Sequence, residues 1–331
     1  MTPVAGVPVN LTSEGWDADE NREIRSIAAE LDKVVTPRRR VIEQPVIELA
    51  LSDALRFSGG MQSTFRALII RQLLDKFGFD EHRVFQWRLE HKLIHALLLN
   101  HYAPGCMPVT RGLQRFVSRL NTDPRSSIDD TYVIKEALGH SSGERGVMDR
   151  TNEALASLSA AGDVTIPARL WDEQWLMQRR ISIEKEYRVH SIEEDVIPDL
   201  TFHRFGSGNI PGERDAPNEF VERILSKLPD AIVGGSLLAW DIALTPDAEL
   251  VVIEVNFSGY HPVCGRGFQC SGYYQDVPWG ASMIARLLRF VEDMDGVSID
   301  VRIDVEEPSR EKDFYAEVIR WCEMLRNGEY E

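Results

Sequence analysis

Leu237-Leu238-Ala239-Trp240-Asp241-Ile242-Ala243-Leu244 and Leu250-Val251-Val252-Ile253-Glu254-Val255-Asn256 decide how this chain is read. Both stretches are apolar and suit a pleated strand. Thr245-Pro246-Asp247-Ala248-Glu249 between them is made of turn residues, so the pair predicts a β-hairpin. Neighbouring strands would set Asp241 level with Glu254. Glu254 and Asn256 are two apart on one strand and share a face, so three oxygen-bearing side chains converge. An ionised carboxylate inside an apolar strand is costly unless it is paired or bound to a metal. Hard oxygen donors gathered in this way suit Mg²⁺, with water and phosphate oxygens completing its octahedron. Solvated strand ends are the competing reading of the two acids, and their apolar neighbours weigh against it.

Outward from the hairpin, strands and helices alternate without a repeat. A helical pattern runs over about 17–35, with Ile24, Ile27, Ala28, Leu31 and Val34 on one face, and Pro37 ends it. Residues 46–55 are apolar with acidic interruptions, and 65–77 has helical spacing. A helix is predicted over 91–99, then a Pro- and Gly-bearing break leading to a short strand near Thr110. Tyr132-Val133-Ile134-Lys135 reads as a strand feeding the glycine-bearing segment 139–146. Further strands are predicted at 175–178 and 187–192, and closing helices at 278–291 and 313–325. Residues 1–16 show no periodicity and read as an extended arm.

Composition narrows the function classes. The 331 residues carry a formal charge of -16 with pI near 5.0, which repels a phosphate backbone, so nucleic acid is not an expected partner. The one dense basic run, Arg38-Arg39-Arg40, reads as a solvated connection. Hydrophobic residues at 43% and charged residues at 27% are the balance of a globular protein. No apolar run approaches the roughly 18 residues of a membrane span, so no membrane partner is expected. Cys106, Cys264, Cys270 and Cys322 form no C-x-x-C pair and follow no secretory leader, so free thiols and a cytoplasmic setting are expected.

The order of these features resembles the ATP-grasp superfamily over about residues 90–290. A Lys-bearing helix comes first, then a Val-Ile-Lys strand with a glycine-rich loop, a Gln-x-x-Ile segment, an acidic-x-Arg strand and Asp…Glu-x-Asn. The resemblance implies an α/β (α+β) fold of two α+β lobes clasping ATP, with a short N-terminal mixed lobe. It divides the chain into 1–90 (arm and small mixed lobe), 91–185 (small lid lobe and hinge) and 186–331 (large lobe with the metal hairpin and closing helices). By position it implies that Lys135 and Lys92 meet the ATP phosphates, with Ser141, Ser142 and Gly143 in the loop that covers them. Backbone groups of Gln178 to Ile181 would read adenine, and Glu186, with Glu184 as rival, would bind ribose. Asp241, Glu254 and Asn256 would hold Mg²⁺ or Mn²⁺, and Arg188 and Arg266 would meet phosphate or an anionic substrate.

The activity implied is carboxylate-amine ligation. A small carboxylate, an amino acid or peptide, attacks ATP to give an acylphosphate, and an amine displaces phosphate; a small-molecule kinase on the same fold is the alternative. The loop after Asn256, with His261 and Arg266, is expected to line the acceptor pocket, and a homodimer is among the assemblies left open. Two features depart from the family. Many of its ligases place a basic residue two before the first metal ligand, where this chain has Ala239; Arg188, Arg204 and Arg266 are the candidates to replace it. The N-terminal part also lacks a Rossmann-like run. Ser58-Gly59-Gly60-Met61-Gln62-Ser63 resembles the SGGxDS loop of PP-loop ATP pyrophosphatases, with Gln62 in place of Asp, but Gly-Gly pairs mark turns routinely and a turn is the plainer reading.

Overall fold

The computed structural model describes residues 18–34, 41, 46–50, 91–122, 132–138, 147–148, 167–203, 212–257, 279–304 and 310–329. The arm at 1–16, the Gly-Gly segment at 58–63, the helix expected at 65–77, the glycine-rich segment at 139–146 and the loop following Phe257 lie outside these residues.

In chain order the first elements are α1 (Ala18–Leu31), β1 (Val46–Ala50), α2 (Lys92–Tyr102), β2 (Thr110–Gly112), α3 (Leu113–Thr122), β3 (Tyr132–Glu136), β4 (Val147–Met148) and β5 (Trp175–Arg179). Then come β6 (Lys185–Ile192), β7 (Asp195–Val196), β8 (Phe202–His203), α4 (Asp215–Leu225), α5 (Asp230–Val233), β9 (Leu237–Leu244), β10 (Leu250–Asn256), α6 (Trp279–Asp295), β11 (Asp300–Asp304) and α7 (Arg310–Arg326). The chain divides into two compact units, one of residues 1–33 and 91–181, the other of 34–90 and 182–331.

In the first unit β2, β5, β3 and β4 pair antiparallel in that order. Strand alternation separates two faces. Tyr132, Ile134 and Met177 join Leu113, Phe116 and Val117 of α3 in an apolar core. Val133, Lys135, Gln178 and Thr110 belong to the opposite face. The seven residues from Leu93 to Leu99, His95 among them, are all buried, so α2 lies inside the unit. It packs with α1, where the Tyr102 hydroxyl donates to Asp32 at 2.9 Å.

In the second unit β10, β9, β6 and β7 form an antiparallel sheet in that order, and β8 also pairs with β6. β9 lies between two partners, and seven of its eight residues are buried. Edge strand β10 alternates less strictly because the ladder shifts between Val252 and Glu254. Ile192 and Leu237 at one end of the sheet enter a core with Ile284, Leu288 and Val291 of α6 and Val318 and Cys322 of α7. β1 pairs parallel with β11, Val46 opposite Asp300. Each unit thus joins helices to antiparallel pairing, and the class is α+β. Among the described residues no helix is long and apolar enough to cross a membrane.

Candidate functional site

Register on β6, β9 and β10, three neighbouring strands of the second unit, builds the first cluster. Asp241 of β9 is opposite Arg188 of β6 on one side and Glu254 of β10 on the other. The shift in β10 makes this happen. Val252 pairs with Ile242 and Glu254 with Asp241, so Ile253 is an extra residue in a β-bulge. With regular alternation Ile253 would oppose Asp241, and Glu254 would turn to the side of Trp240. The bulge instead returns Glu254 and Asn256 to the face of Asp241.

Arg188 and Asp241 form a buried ion pair. Nε lies 2.6 Å from Oδ1, and Nη2 donates to Oδ2 at 3.1 Å, with the two side chains 2% and 1% exposed. The Nη2 contact is a hydrogen bond and the Nε approach a close charge contact, and the pairing offsets the desolvation of two ions held so deep. Of the three arginines that could serve in place of a basic residue at position 239, Arg188 is among the described residues and is in register with Asp241. Arg204 and Arg266 lie outside the described residues. Ala239 itself is buried, opposite His190 and Asn256. His190 shares the face of Arg188, with Nδ1 2.8 Å from the Leu200 carbonyl.

The Asn256 amide donates through Nδ2 to the Ala239 carbonyl at 3.2 Å, which fixes Oδ1 as its accepting end. Glu254 and Asn256 are half-buried, as is Glu186 at the outer end of the same face. Among the described residues no group of three or more His, Cys, Asp or Glu could form a metal cage. The set here is two carboxylates and a carboxamide oxygen. That donor chemistry fits a hard divalent cation, since a carboxylate engaged by arginine keeps lone pairs for a second cation.

The first unit carries the other residues. Lys135 is nearly buried on β3, and its Nζ donates to Gln178 Oε1 of β5 at 2.6 Å. Gln178 Nε2 donates to Thr110 Oγ1 of β2 at 3.1 Å. The resemblance gave Gln178 a backbone role at the adenine; its side chain is engaged within its own sheet. Lys92 opens α2, and its backbone N–H donates to the Ala137 carbonyl just beyond β3 at 2.8 Å. Ile181 is the last residue of this unit before the chain enters the other. Ser141, Ser142, Gly143 and Arg266 lie outside the described residues. Thr110 carries no sequence signal of its own, because a lone threonine between Val109 and Arg111 matches no motif.

No family model and no curated protein matches the chain. Solved structures do. The N5-carboxyaminoimidazole synthase of Aspergillus clavatus, in complex with ADP and 5-aminoimidazole ribonucleotide, is 13% identical at a TM-score of 0.37, over 53% of this chain and 46% of that one. The macrocyclase MdnC of Microcystis aeruginosa, bound with precursor peptide MdnA, is 16% identical at a TM-score of 0.39, over 70% and 69%. A Chryseobacterium gregarium RiPP-associated ATP-grasp ligase, in complex with ADP and a leader and core peptide, is 15% identical at a TM-score of 0.36, over 77% and 72%. The match spans less than half of the Aspergillus synthase.

Proposed function

We propose that the chain is an ATP- and Mg²⁺-dependent ligase of the ATP-grasp kind, joining a small carboxylate, an amino acid or peptide, to an amine and releasing ADP and phosphate. The observation that carries this is the transverse row Arg188, Asp241, Glu254, with Asn256 beside it. Buried charge in that arrangement is expensive to maintain and has a clear use in holding a cation against phosphate oxygens. Asp241, Glu254 and Asn256 would hold Mg²⁺, or Mn²⁺, which when bound neutralises charge on the phosphate oxygens.

The remaining roles fall to the chain's own residues. Lys135, with Lys92, binds the nucleotide phosphates as compact cations. Ser141, Ser142 and Gly143 cover them, backbone groups of Gln178 to Ile181 read adenine, and Glu186 binds ribose. Arg188 orients Asp241 and, with Arg266, adds positive charge where the phosphoryl group moves. No protein nucleophile is required: alignment of a substrate carboxylate with the terminal phosphate, in a field that favours the transferring charge, supplies the rate.

The experiment is a screen of amino acids, small carboxylates and amines against the purified chain with Mg²⁺ and ATP, following ADP, phosphate and product mass together. ADP formation should require both a carboxylate and an amine. Glu254→Gln should abolish it. Turnover that persists after chelation of divalent cations, or an undiminished Glu254→Gln variant, would remove the metal assignment and the ligase reading with it.

A further inference from the structure

Thr110, Gln178 and Lys135 come from β2, β5 and β3 and are 0%, 5% and 9% exposed on the same face of the sheet. Their hydrogen bonds run in one direction. The Thr110 hydroxyl donates to the Pro108 carbonyl at 2.9 Å, and a carbonyl can only accept, so the hydroxyl proton is committed there. What Oγ1 then offers Gln178 is lone pairs, and only the NH₂ end of the amide can use them, at 3.1 Å. The oxygen end is thereby turned to the Lys135 ammonium at 2.6 Å. An inverted amide would set oxygen against the Thr110 lone pairs and N–H against a cation, so the network itself decides the orientation.

We propose that Thr110 and Gln178 are positioning residues for Lys135: the chain from Pro108 through Thr110 locks the Gln178 amide so that a neutral acceptor aims the ammonium at the nucleotide phosphates. This rests on the reading of Lys135 as a phosphate-binding lysine. An amide suits the task because it fixes the direction of the ammonium without itself cancelling the charge, which a carboxylate in its place would do. Thr110 acts at one remove. Its hydrogen bond with Gln178 determines which end of the amide the lysine meets.

The test is calorimetric titration of Mg²⁺ with a non-hydrolysable ATP analogue into the wild type and into Lys135→Ala, Thr110→Val, Thr110→Ser and Gln178→Glu, with a melting temperature for each. Thr110→Val keeps the shape and loses the acceptor that orients Gln178, so affinity should fall about tenfold as the ammonium loses its aim at the phosphates. Thr110→Ser restores the hydroxyl and should bind within about twofold of the wild type, a rescue that lost packing alone does not predict. Gln178→Glu should weaken binding at neutral pH and recover as pH falls and the new carboxylate takes up a proton, whereas the wild type should show no such recovery. If Lys135→Ala binds as the wild type does, the phosphate reading of Lys135 is wrong. If Lys135→Ala binds weakly while Thr110→Val and Gln178→Glu are folded and bind normally, that reading stands and the positioning chain is refuted. Should Thr110→Val fail to fold, the pH dependence of Gln178→Glu decides alone.

Discussion

Burying Arg188 and Asp241 together makes each dependent on the other. With one removed, the remaining charge is left in a site that excludes water, and such losses cost about 3–5 kcal/mol. Asp241→Asn is therefore expected to destabilise the second unit by roughly that amount, as well as abolishing turnover. Glu254 is half-buried on the edge strand, where solvent offsets the loss of its charge. Glu254→Gln should abolish metal-dependent nucleotide binding while shifting stability by less than about 1 kcal/mol. Urea unfolding of both variants, alongside Mg²⁺-nucleotide titration, separates the two. Equal stabilities for the two variants would show that the Arg188 to Asp241 pair contributes nothing in solution. The residue types of this row were legible in sequence, because carboxylates inside apolar strands stand out. Which arginine joined them was not, since the β6 to β9 register is a tertiary fact.

Helices α1 and α3 add buried charge to the apolar contacts through which they meet the rest of their unit. The Glu173 carboxylate accepts from the backbone N–H of Gln114 at 3.3 Å and of Arg115 at 3.2 Å, satisfying donors at the start of α3. Gly112 makes room for it, as a Cβ there would lie 2.5 Å from Glu173 Oε1. Gly112→Ala should displace the carboxylate, uncover both amides and cost about 1–3 kcal/mol. A urea midpoint unchanged from the wild type would mean that Glu173 caps nothing of consequence. On α1, Glu23 pairs with Arg115 at 3.4 Å, and Glu20 beside it is 3% exposed. Burial pushes the Glu20 carboxyl up from 4.5 to about 7, opposed by Arg115 and reinforced by Glu173. A pKa raised in the folded state favours folding when the group is protonated. This contribution is therefore full below about pH 4.5 and is lost as pH rises through about 7, a span worth roughly 3 kcal/mol. Glu20→Gln should be more stable than the wild type at pH 8, with the gap closing toward pH 4.5. Parallel stability curves for the two proteins would mean that folding leaves the Glu20 pKa unchanged. The amphipathic face of α1 was plain from its spacing. That of α3 is written in the sequence too, in Leu113, Phe116 and Val117. The pairing of β1 with β11 was not available at all, because nothing local ties Val46 to Asp300.

At the scale of the whole chain, the cationic residues Lys92 and Lys135 fall in the first unit and the oxygen donors Asp241, Glu254 and Asn256 in the second, with the chain passing from one to the other at Ile181. Sequence order made this separation legible, because each set lies within one contiguous stretch. The bulge at Ile253 was not, since an apolar run of seven residues does not say where the ladder skips. None of these residues distinguishes ligation from phosphorylation, since both reactions need the same nucleotide machinery and differ only in the acceptor. The fate of one oxygen atom distinguishes them. In ligation a carboxylate oxygen bonds to the terminal phosphorus, and the amine then breaks the bond from that oxygen to the acyl carbon, so the oxygen departs with phosphate. A substrate carboxylate labelled with ¹⁸O should accordingly place label in the released phosphate, with ADP and phosphate formed in equal amounts. A kinase would form ADP without free phosphate and keep the phosphoryl group on an alcohol. Mass spectrometry of phosphate and product after a single turnover reads both outcomes. A stable phosphorylated alcohol without free phosphate would replace the ligase reading with a kinase, and unlabelled phosphate would exclude the acylphosphate route; neither outcome touches the roles proposed for Lys135, Asp241, Glu254 and Asn256.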